Sequence, residues 1–148
     1  MGIFRSMKVA TSSSAQTPST ASECTLTAVL AAKTKFTTFL LQQNPLLTPS
    51  QVWDKLVVYA SCQAHSSVER AALLASVRFH VLNTDDMLAV RGPTLRAVVQ
   101  EDRNLGFIPM AMVATLGTTN SCAFDNLEEI GVVCKLSACS FSHPTKVV

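Results

Sequence analysis

The sequence predicts an α/β fold in which a mostly parallel sheet is flanked by helices. Two short, almost wholly apolar runs, at residues 56–60 and 108–115, are typical of strands buried on both faces. Segments with helically spaced apolar residues alternate with these runs, and turn or capping residues separate the two kinds of segment. This alternation favours parallel strands joined by right-handed helical crossovers.

The first helix is predicted to begin after Thr20. Thr20 and Glu23 have the spacing of a capping box, in which each residue binds the other's backbone N–H. Asn44-Pro45 is expected to end the segment. Its apolar residues recur at roughly helical spacing: Leu26, Val29, Leu30, Ala32, Phe36, Phe39 and Leu40.

Two further helices and a strand are predicted in the middle of the chain. Thr48 or Ser50 is expected to cap a short helix before the first strand. Ser66 and Glu69 repeat the capping-box spacing, which predicts a helix extending to about residue 76. Residues 78–82 form the second strand candidate.

The last two helices are placed by their terminal residues. Pro93 suits the first turn of a helix that stops at Gly106. Asp125 is expected to cap the final helix through its side chain, and Gly131 is expected to end it.

Composition excludes several classes of protein. The chain has 148 residues, which is room for one domain, and 48% of them are hydrophobic, as in a globular core. The net charge is +2 with no block of Lys or Arg, so the case for nucleic-acid binding is weak. Uninterrupted apolar runs are all shorter than the roughly 18 residues of a membrane span, and no membrane partner is expected.

The five cysteines are widely spaced and form no Cys-x-x-Cys pair. This pattern supports neither a zinc knuckle nor a disulfide framework. A reducing compartment is the simplest interpretation, and we therefore expect a cytoplasmic protein.

Residues 1–19 differ in composition from the rest of the chain. They contain Arg5 and Lys8, no acidic residue and a run rich in Ser and Thr. This composition is typical of an organelle transit peptide, while Gly2 and Ser6 also fit the N-myristoylation pattern. The alternative is a divergent, flexible leader without a targeting role.

Candidate ligand-binding residues cluster in turns at predicted element ends. Parallel sheets bind ligands where their strands end, which is where His65 and residues 117–120 are expected. Thr20, Ala21 and Ser22 offer hydroxyl groups and free backbone N–H groups at a helix start, a combination that suits a phosphate. The alternative for this segment is an ordinary helix cap.

His65 could stack on a flat ring, transfer a proton or simply cap the following helix. His80 is expected to be structural, and His143 lies in the tail. The three histidines lack zinc-ligand spacing, so no metal site is predicted. Hydroxyl groups at residues 115–119 could bind a ligand or satisfy their own turn. No Gly-x-Ser-x-Gly elbow supports a hydrolase.

Four segments stand out together: TASECTL at 20–26, QAHSSVERA at 63–71, VATLGTT at 113–119 and CAFDNL at 122–127. They resemble the pyridoxal-phosphate-dependent aromatic amino-acid decarboxylases, a group that includes DOPA, tyrosine and histidine decarboxylases. The resemblance spans residues 20–134.

This resemblance implies a fold and a set of roles. It implies part of the large pyridoxal-phosphate-binding domain of a fold-type I enzyme. In the family, the residues matching Thr20, Ala21 and Ser22 bind the cofactor phosphate. The histidine matching His65 stacks on the pyridine ring and serves catalysis, and the threonine matching Thr119 lies beside the cofactor.

The resemblance also implies the reaction and the assembly. The family decarboxylates an aromatic L-amino acid or histidine to its amine and works as a homodimer. Related aldehyde synthases carry asparagine where this chain has His65, which favours decarboxylation.

The sequence also departs from the family pattern at both ends of the matching segment. Residues 15–19 replace a glycine-rich stretch, and residues 135–148 form a divergent tail. The aspartate that pairs with the pyridine nitrogen and the lysine that binds the cofactor find no clear counterpart, although Lys146 lies in a segment that loosely echoes the lysine motif. We therefore expect a fragment that is inactive alone. The alternatives are a truncated isoform that pairs with and modulates a full-length decarboxylase, and an incomplete product without a stable fold.

Overall fold

The computed structural model describes residues 20–118, 121–139 and 146–147. The predicted leader, residues 1–19, lies outside the described residues. In chain order, the described elements are α1 (Ala21–Gln43), α2 (Pro49–Trp53), β1 (Leu56–Ser61), α3 (Ser66–Leu74), β2 (Arg78–Leu82), α4 (Gly92–Asn104), β3 (Ile108–Val113), α5 (Leu127–Cys139) and β4 (Lys146–Val147).

The strands form one sheet in the order β2-β1-β3-β4, and every neighbouring pair is parallel. The register between β1 and β3 shifts by one residue next to Pro109, which has no N–H group to donate. The fold class expected from the sequence, a mostly parallel sheet with flanking helices, is therefore confirmed. The sequence did not predict β4.

Helices cover both faces of the sheet, and each side has its own core. We call α1, α2 and α3 the front layer, and α4 and α5 the back layer. Because successive strand residues point to opposite faces, Leu56 and Val58 of β1 join the front core, while Val57 and Tyr59 join the back core. All six residues of β1 are buried, as expected for a strand covered on both faces.

Polar contacts of α1 fix the front layer. The Trp53 indole N–H donates to the Thr37 hydroxyl at 3.2 Å, which ties α2 to α1. The Lys33 ammonium donates to the Ala75 carbonyl at 2.6 Å and lies 4.4 Å from the centre of the Trp53 ring. One lysine thus joins all three helices of the layer.

By length and composition, α1 could cross a membrane. Threonines and lysines break up its apolar residues, so the sequence contains no uninterrupted apolar run there. In the fold, Val29 and Phe36 of α1 are buried in the front core, while most of the helix is not buried.

Two helix boundaries differ from the sequence prediction. Gly131 does not end α5, which continues to Cys139 and crosses the expected boundary between residues 134 and 135. The reason is packing, because Ile130, Val133 and Cys134 form one buried helical stripe. At α3, His65 rather than Ser66 occupies the N-cap position and its side chain accepts from the Ser67 N–H, so the predicted capping box between Ser66 and Glu69 is wrong.

Candidate functional site

The edge at which the parallel strands end, here called the carboxyl edge, carries the predicted site residue His65. The loops after β1, β2 and β3 lie there. So do the starts of α3, α4 and α5, because each helix runs back antiparallel to the strands.

The start of α1 lies toward the same edge. The end of α1 leads through α2 directly into β1, so α1 also runs antiparallel to the strands. The hydrogen bond between Lys33 and the Ala75 carbonyl places the middle of α1 beside the end of α3. At about 1.5 Å per residue, Thr20 lies about 20 Å from Lys33 along the helix axis. On the same scale, His65 lies about 15 Å from Ala75 along α3. We therefore expect the two helix starts to lie at a similar level along the strand direction.

Thr20 forms the predicted capping box, which is confirmed. Its hydroxyl accepts from the Glu23 N–H at 3.3 Å, and its own N–H donates to the Glu23 carboxylate at 3.3 Å. The N–H groups of Ala21 and Ser22 have no partner among the described residues, and the side chains of this turn are exposed. Free N–H donors beside two hydroxyl groups fit a phosphate, although Glu23 already occupies part of the helix start.

His65 caps α3 with its imidazole ring. Its Nδ1 accepts from the Ser67 N–H at 3.1 Å and lies 3.0 Å from the Ser67 hydroxyl. A neutral ring that accepts at Nδ1 carries its proton on Nε2. The exposed ring is therefore held at the carboxyl edge with Nε2–H as its free donor. Of the roles left open by the sequence, the structure shows the helix cap and leaves Nε2 of the exposed ring available.

The loop after β3 is closed by its own hydrogen bonds. The buried Thr118 hydroxyl lies 2.6 Å from the Ser121 hydroxyl and accepts from the Ala123 N–H at 3.1 Å. Gly117 has a φ of +81°, which glycine adopts readily at such a turn. The Thr118 hydroxyl is therefore used in hydrogen bonds within its own turn. The predicted site residue Thr119 lies outside the described residues.

Asp125 does not cap α5, contrary to the sequence prediction. It is buried, and its two carboxylate oxygens accept from the N–H groups of Val90 at 2.9 Å and Thr115 at 2.8 Å. The cap is Asn126, whose side-chain oxygen accepts from the Glu129 N–H at 3.1 Å. Through these two hydrogen bonds, Asp125 instead joins the loop after β3 to the segment that leads into α4.

A second carboxylate joins the starts of α4 and α5. Glu129 accepts from the Gly92 N–H at 2.8 Å and binds the Arg91 guanidinium through both oxygens. The Arg91 hydrogen bonds and the Gly92 N–H lower the pKa of Glu129. Asp85 also pairs with Arg91, but its pKa is lowered mainly by backbone hydrogen bonds, from Ala89 first. Both carboxylates raise the pKa of Arg91.

A buried polar cluster under α4 was missed by sequence reasoning. The Asp102 carboxylate accepts from the Tyr59 hydroxyl at 2.7 Å and lies 2.9 Å from His80 Nδ1. Burial first, and then Asp102, raise the pKa of Tyr59 far above its ordinary value. The signal was present, because Asp102 continues the apolar stripe of α4, formed by Leu95, Val98 and Val99. His80 is structural, as expected.

Three cysteines are exposed. Cys62 directly after β1 and Cys122 in the loop after β3 lie at the carboxyl edge, and Cys24 lies in the first turns of α1. Cys134, in contrast, is buried in the back core, and burial raises the pKa of its thiol to about 12. All four are free thiols. Among the described residues, no group of three or more His, Cys, Asp or Glu could hold a metal ion.

Residues 5–141 match the family described as the pyridoxal-dependent decarboxylase conserved domain. The chain belongs to this family. Its cofactor, pyridoxal phosphate, carries an anionic group of the kind that the start of α1 suits, and a flat ring on which His65 could stack.

Named relatives support the same assignment. The chain is 50% identical over 114 residues to the aromatic-L-amino-acid decarboxylase of Cavia porcellus, covering 77% of this chain and 24% of the relative. It is 48% identical over 115 residues to the histidine decarboxylase of Drosophila melanogaster, covering 78% of this chain and 14% of the relative. The chain thus spans a quarter or less of the length of these relatives.

Solved structures show the same fold. The Oryza sativa TDC crystallised with PLP superposes with a TM-score of 0.71 at 27% sequence identity, covering 80% of this chain and 25% of that chain. The sheet and its two helical layers are therefore part of a fold-type I decarboxylase domain.

Proposed function

We propose that this chain forms the phosphate-binding and ring-covering part of a pyridoxal-phosphate-dependent decarboxylase. The reaction is the conversion of an aromatic L-amino acid or histidine to its amine with loss of CO2. The observation that carries the proposal is the His65 ring held by Ser67 at the start of α3, in a chain that belongs to the decarboxylase family and whose α1 is expected to begin toward the same edge.

The cofactor phosphate is held at the first turn of α1. The N–H groups of Ala21 and Ser22 donate to it, and the Thr20 and Ser22 hydroxyl groups complete the donor set. Thr119 contributes a hydroxyl group from the loop after β3. When bound, pyridoxal phosphate acts as an electron sink that stabilises negative charge on the α-carbon of the amino acid.

His65 covers the cofactor ring and handles a proton. Ser67 fixes the imidazole through Nδ1, so the ring keeps one orientation and the Nε2–H is the group that meets the ligand. An imidazole held in this way can hydrogen-bond a carboxylate and return a proton at Nε2.

We further propose that the 148-residue chain is inactive by itself. The sequence offers no clear counterpart of the family's aspartate under the ring nitrogen or of its cofactor-binding lysine. We expect no amine from tyrosine, DOPA or histidine when the purified chain is incubated with pyridoxal phosphate. Borohydride reduction followed by peptide mapping is the second measurement. A covalent cofactor on Lys146 together with amine release would contradict the inactive assignment.

Cofactor binding is tested directly by equilibrium dialysis of the chain against pyridoxal phosphate and against pyridoxal, which lacks the phosphate. We expect the phosphorylated form to bind more tightly. Ser22→Asp puts a negative charge at the phosphate position and should weaken its binding about tenfold or more. Thr27→Asp, exposed further along α1, is the matched control and should bind normally. Equal binding of the two ligands to the wild-type chain would overturn the proposal.

A second candidate function is non-catalytic pairing with a full-length decarboxylase. The supporting observation is that β4 pairs with only Ala111 and Met112, so no described strand pairs with the start of β3 on that side. An unpaired parallel edge favours association with another chain. Mixing the chain with an intact decarboxylase should then give a complex with lower turnover per active subunit. Unchanged turnover and separate elution would exclude this candidate.

A further inference from the structure

Two groups of Ser67 approach the same nitrogen of His65. The Ser67 backbone N–H donates to Nδ1 at 3.1 Å, and the Ser67 hydroxyl oxygen lies 3.0 Å from that atom. The imidazole is exposed, whereas Ser67 is half-buried at the start of α3. No other residue in the described part of the chain forms a hydrogen bond with this ring. The orientation of the His65 ring therefore depends on Ser67.

The two groups of Ser67 differ in the hydrogen bonds they can form. A backbone N–H can only donate, so its bond to His65 requires an unprotonated Nδ1. A hydroxyl group donates through its hydrogen, accepts through its lone pairs and rotates to suit its partner. While Nδ1 is unprotonated, both groups can donate to it. Once Nδ1 carries a proton, the hydroxyl oxygen is its acceptor and the N–H has none.

Proton transfer at Nε2 passes through states in which Nδ1 is protonated. An imidazolium carries a proton on both nitrogens, and a neutral ring that has released its Nε2 proton keeps one on Nδ1. Water supplies a proton to Nδ1, and the ring becomes positively charged. Nε2 then gives its proton to the ligand, and the ring is neutral again. The hydrogen bond from the Ser67 N–H is lost in both of these states.

We propose that the Ser67 hydroxyl holds His65 in place in both protonation states, which makes Ser67 a positioning residue. The hydroxyl group donates to the unprotonated Nδ1 and accepts from Nδ1–H once the ring is protonated. Its hydrogen rotates about the Cβ–Oγ bond, so neither side chain has to move. Without this group, a protonated ring would turn its Nδ1–H toward water. The meaning of this role for catalysis rests on the proposed function, in which His65 is the residue that meets the ligand.

Charged side chains at this end of α3, and of the α1 and β2 elements that pack against it, are acidic. Glu69 lies one turn further along α3, Glu23 binds Thr20 in the α1 cap, and the loop after β2 carries Asp85 and Asp86. Asp85 pairs with Arg91. Glu69 and Asp86 form no ion pair within the described residues. The response of the ring to pH is therefore assigned to Ser67.

The test is NMR of the full 148-residue chain without cofactor. Spectra are recorded at about pH 8 and about pH 5, on either side of the ordinary pKa of a histidine. Three-bond couplings report the χ1 rotamer of His65, and nitrogen shifts report which ring nitrogen carries a proton. In the wild type, we expect a single rotamer at both pH values. Ser67→Ala should keep that rotamer at the higher pH, because the backbone N–H remains, and lose it at the lower pH.

Two variants serve as controls, and circular dichroism checks that each is folded. Ser67→Thr keeps a hydroxyl group and should hold the ring at both pH values. Ser66→Ala removes the exposed hydroxyl next to it and should behave as the wild type does. A single rotamer for Ser67→Ala at about pH 5 would overturn the proposal. A folded Ser67→Thr variant that loses the rotamer there would also overturn it.

A second measurement needs no variant. In the wild type at about pH 5, the proton on Nδ1 should exchange with water more slowly than the proton on Nε2, because only the first is hydrogen-bonded within the protein. Equal exchange of the two protons would overturn the role of Ser67.

Equilibrium dialysis against pyridoxal phosphate separates this inference from the proposed function. A chain that shows the expected rotamers but does not bind pyridoxal phosphate would refute the proposed function and still support the role of Ser67. A chain that binds pyridoxal phosphate, but whose Ser67→Ala variant keeps one rotamer at both pH values, would refute only the role of Ser67.

Discussion

The front and back layers hold their helices to the same sheet by different means. The front core is a cluster of apolar side chains, to which Lys33 and the Trp53–Thr37 pair add contacts between helices. The back core contains the buried carboxylate of Asp102, and its edge carries the buried Asp125 and the partly buried Glu129.

The difference shows where this domain is sensitive to single changes. Apolar contacts tolerate volume-conserving substitutions, whereas a buried polar group that loses its partner costs its full desolvation energy. We therefore expect the back layer to respond more strongly than the front layer to polar substitutions and to pH.

The largest effect is expected for Asp102→Ala. The substitution leaves the buried Tyr59 hydroxyl without its acceptor and opens a small cavity, which should lower the free energy of unfolding by about 2–4 kcal/mol. Urea denaturation followed by circular dichroism measures the change. Asp86→Ala, at an exposed site, is the control and should stay within about 0.5 kcal/mol of the wild type. Similar values for the two variants would remove the contrast between the layers.

Two glycines of the back layer should respond in opposite directions to the same substitution. A Cβ on Gly92 would lie 2.8 Å from Glu129 Cβ, so Gly92→Ala must push α4 away from α5 at a cost of about 1–3 kcal/mol. A Cβ on Gly131 meets nothing within 4 Å, and Gly131→Ala should stabilise α5 by up to about 1 kcal/mol. Thermal melts of both variants test the pair, and a shift of the same sign in both would contradict it.

The stability of the back layer should fall at alkaline pH. Tyr59 has a raised pKa in the folded chain, so the unfolded chain loses the phenol proton first, near its ordinary pKa of about 10. The contribution of Tyr59 is full below about pH 10 and is lost above it at about 1.4 kcal/mol per pH unit. Cys134, with its pKa raised to about 12, adds a loss of the same sign.

Tyr59 is the only tyrosine in the chain, so tyrosinate absorbance reports on it alone. We expect this absorbance to appear together with unfolding and not before it. Tyr59→Phe should reduce the fall in the free energy of unfolding at alkaline pH by the contribution of Tyr59. Cys134→Ala should remove the contribution of Cys134. Titration of the phenol near pH 10 in the folded chain would show that Tyr59 is accessible.

The smallest effect is expected in the front layer. Lys33→Met removes the hydrogen bond to Ala75 and the contact with the Trp53 ring, but the methionine side chain keeps most of the packing. The expected loss is about 1 kcal/mol. Lys35→Met, at an exposed lysine two residues along α1, should have almost no effect. Trp53 fluorescence should shift in Lys33→Met only. Equal shifts in the two variants would contradict the contact assigned to Lys33.

Local signals in the sequence were sufficient for most of the fold. The apolar run of β1, the capping box at Thr20 and the turn residues around the strands are contacts between near neighbours, so the residues themselves reveal them. One error, at the cap of α3, was local, because the His65 ring binds the Ser67 N–H. Two other errors fell where a distant partner decided the outcome. Asp125 has the right position for a cap but binds Val90, and Gly131 stays helical because its neighbours pack on the back core.

The same division applies to the candidate site. The residue types at Thr20–Ser22 and at His65 indicated an anion and a flat ring, because these chemistries depend on hydroxyl groups, N–H groups and an imidazole close together in sequence. Whether they come together depends on how α1 lies against α3, where Lys33 contacts Ala75 across the fold.

By itself, the sequence determined the alternation of helices and strands and the chemistry available at each turn, since both depend on periodicity and on residues a few positions apart. Only the tertiary structure decided which carboxylates are buried and which backbone N–H groups they bind. Those properties arise from contacts between residues far apart in the chain, where burial sets the energy of each polar group.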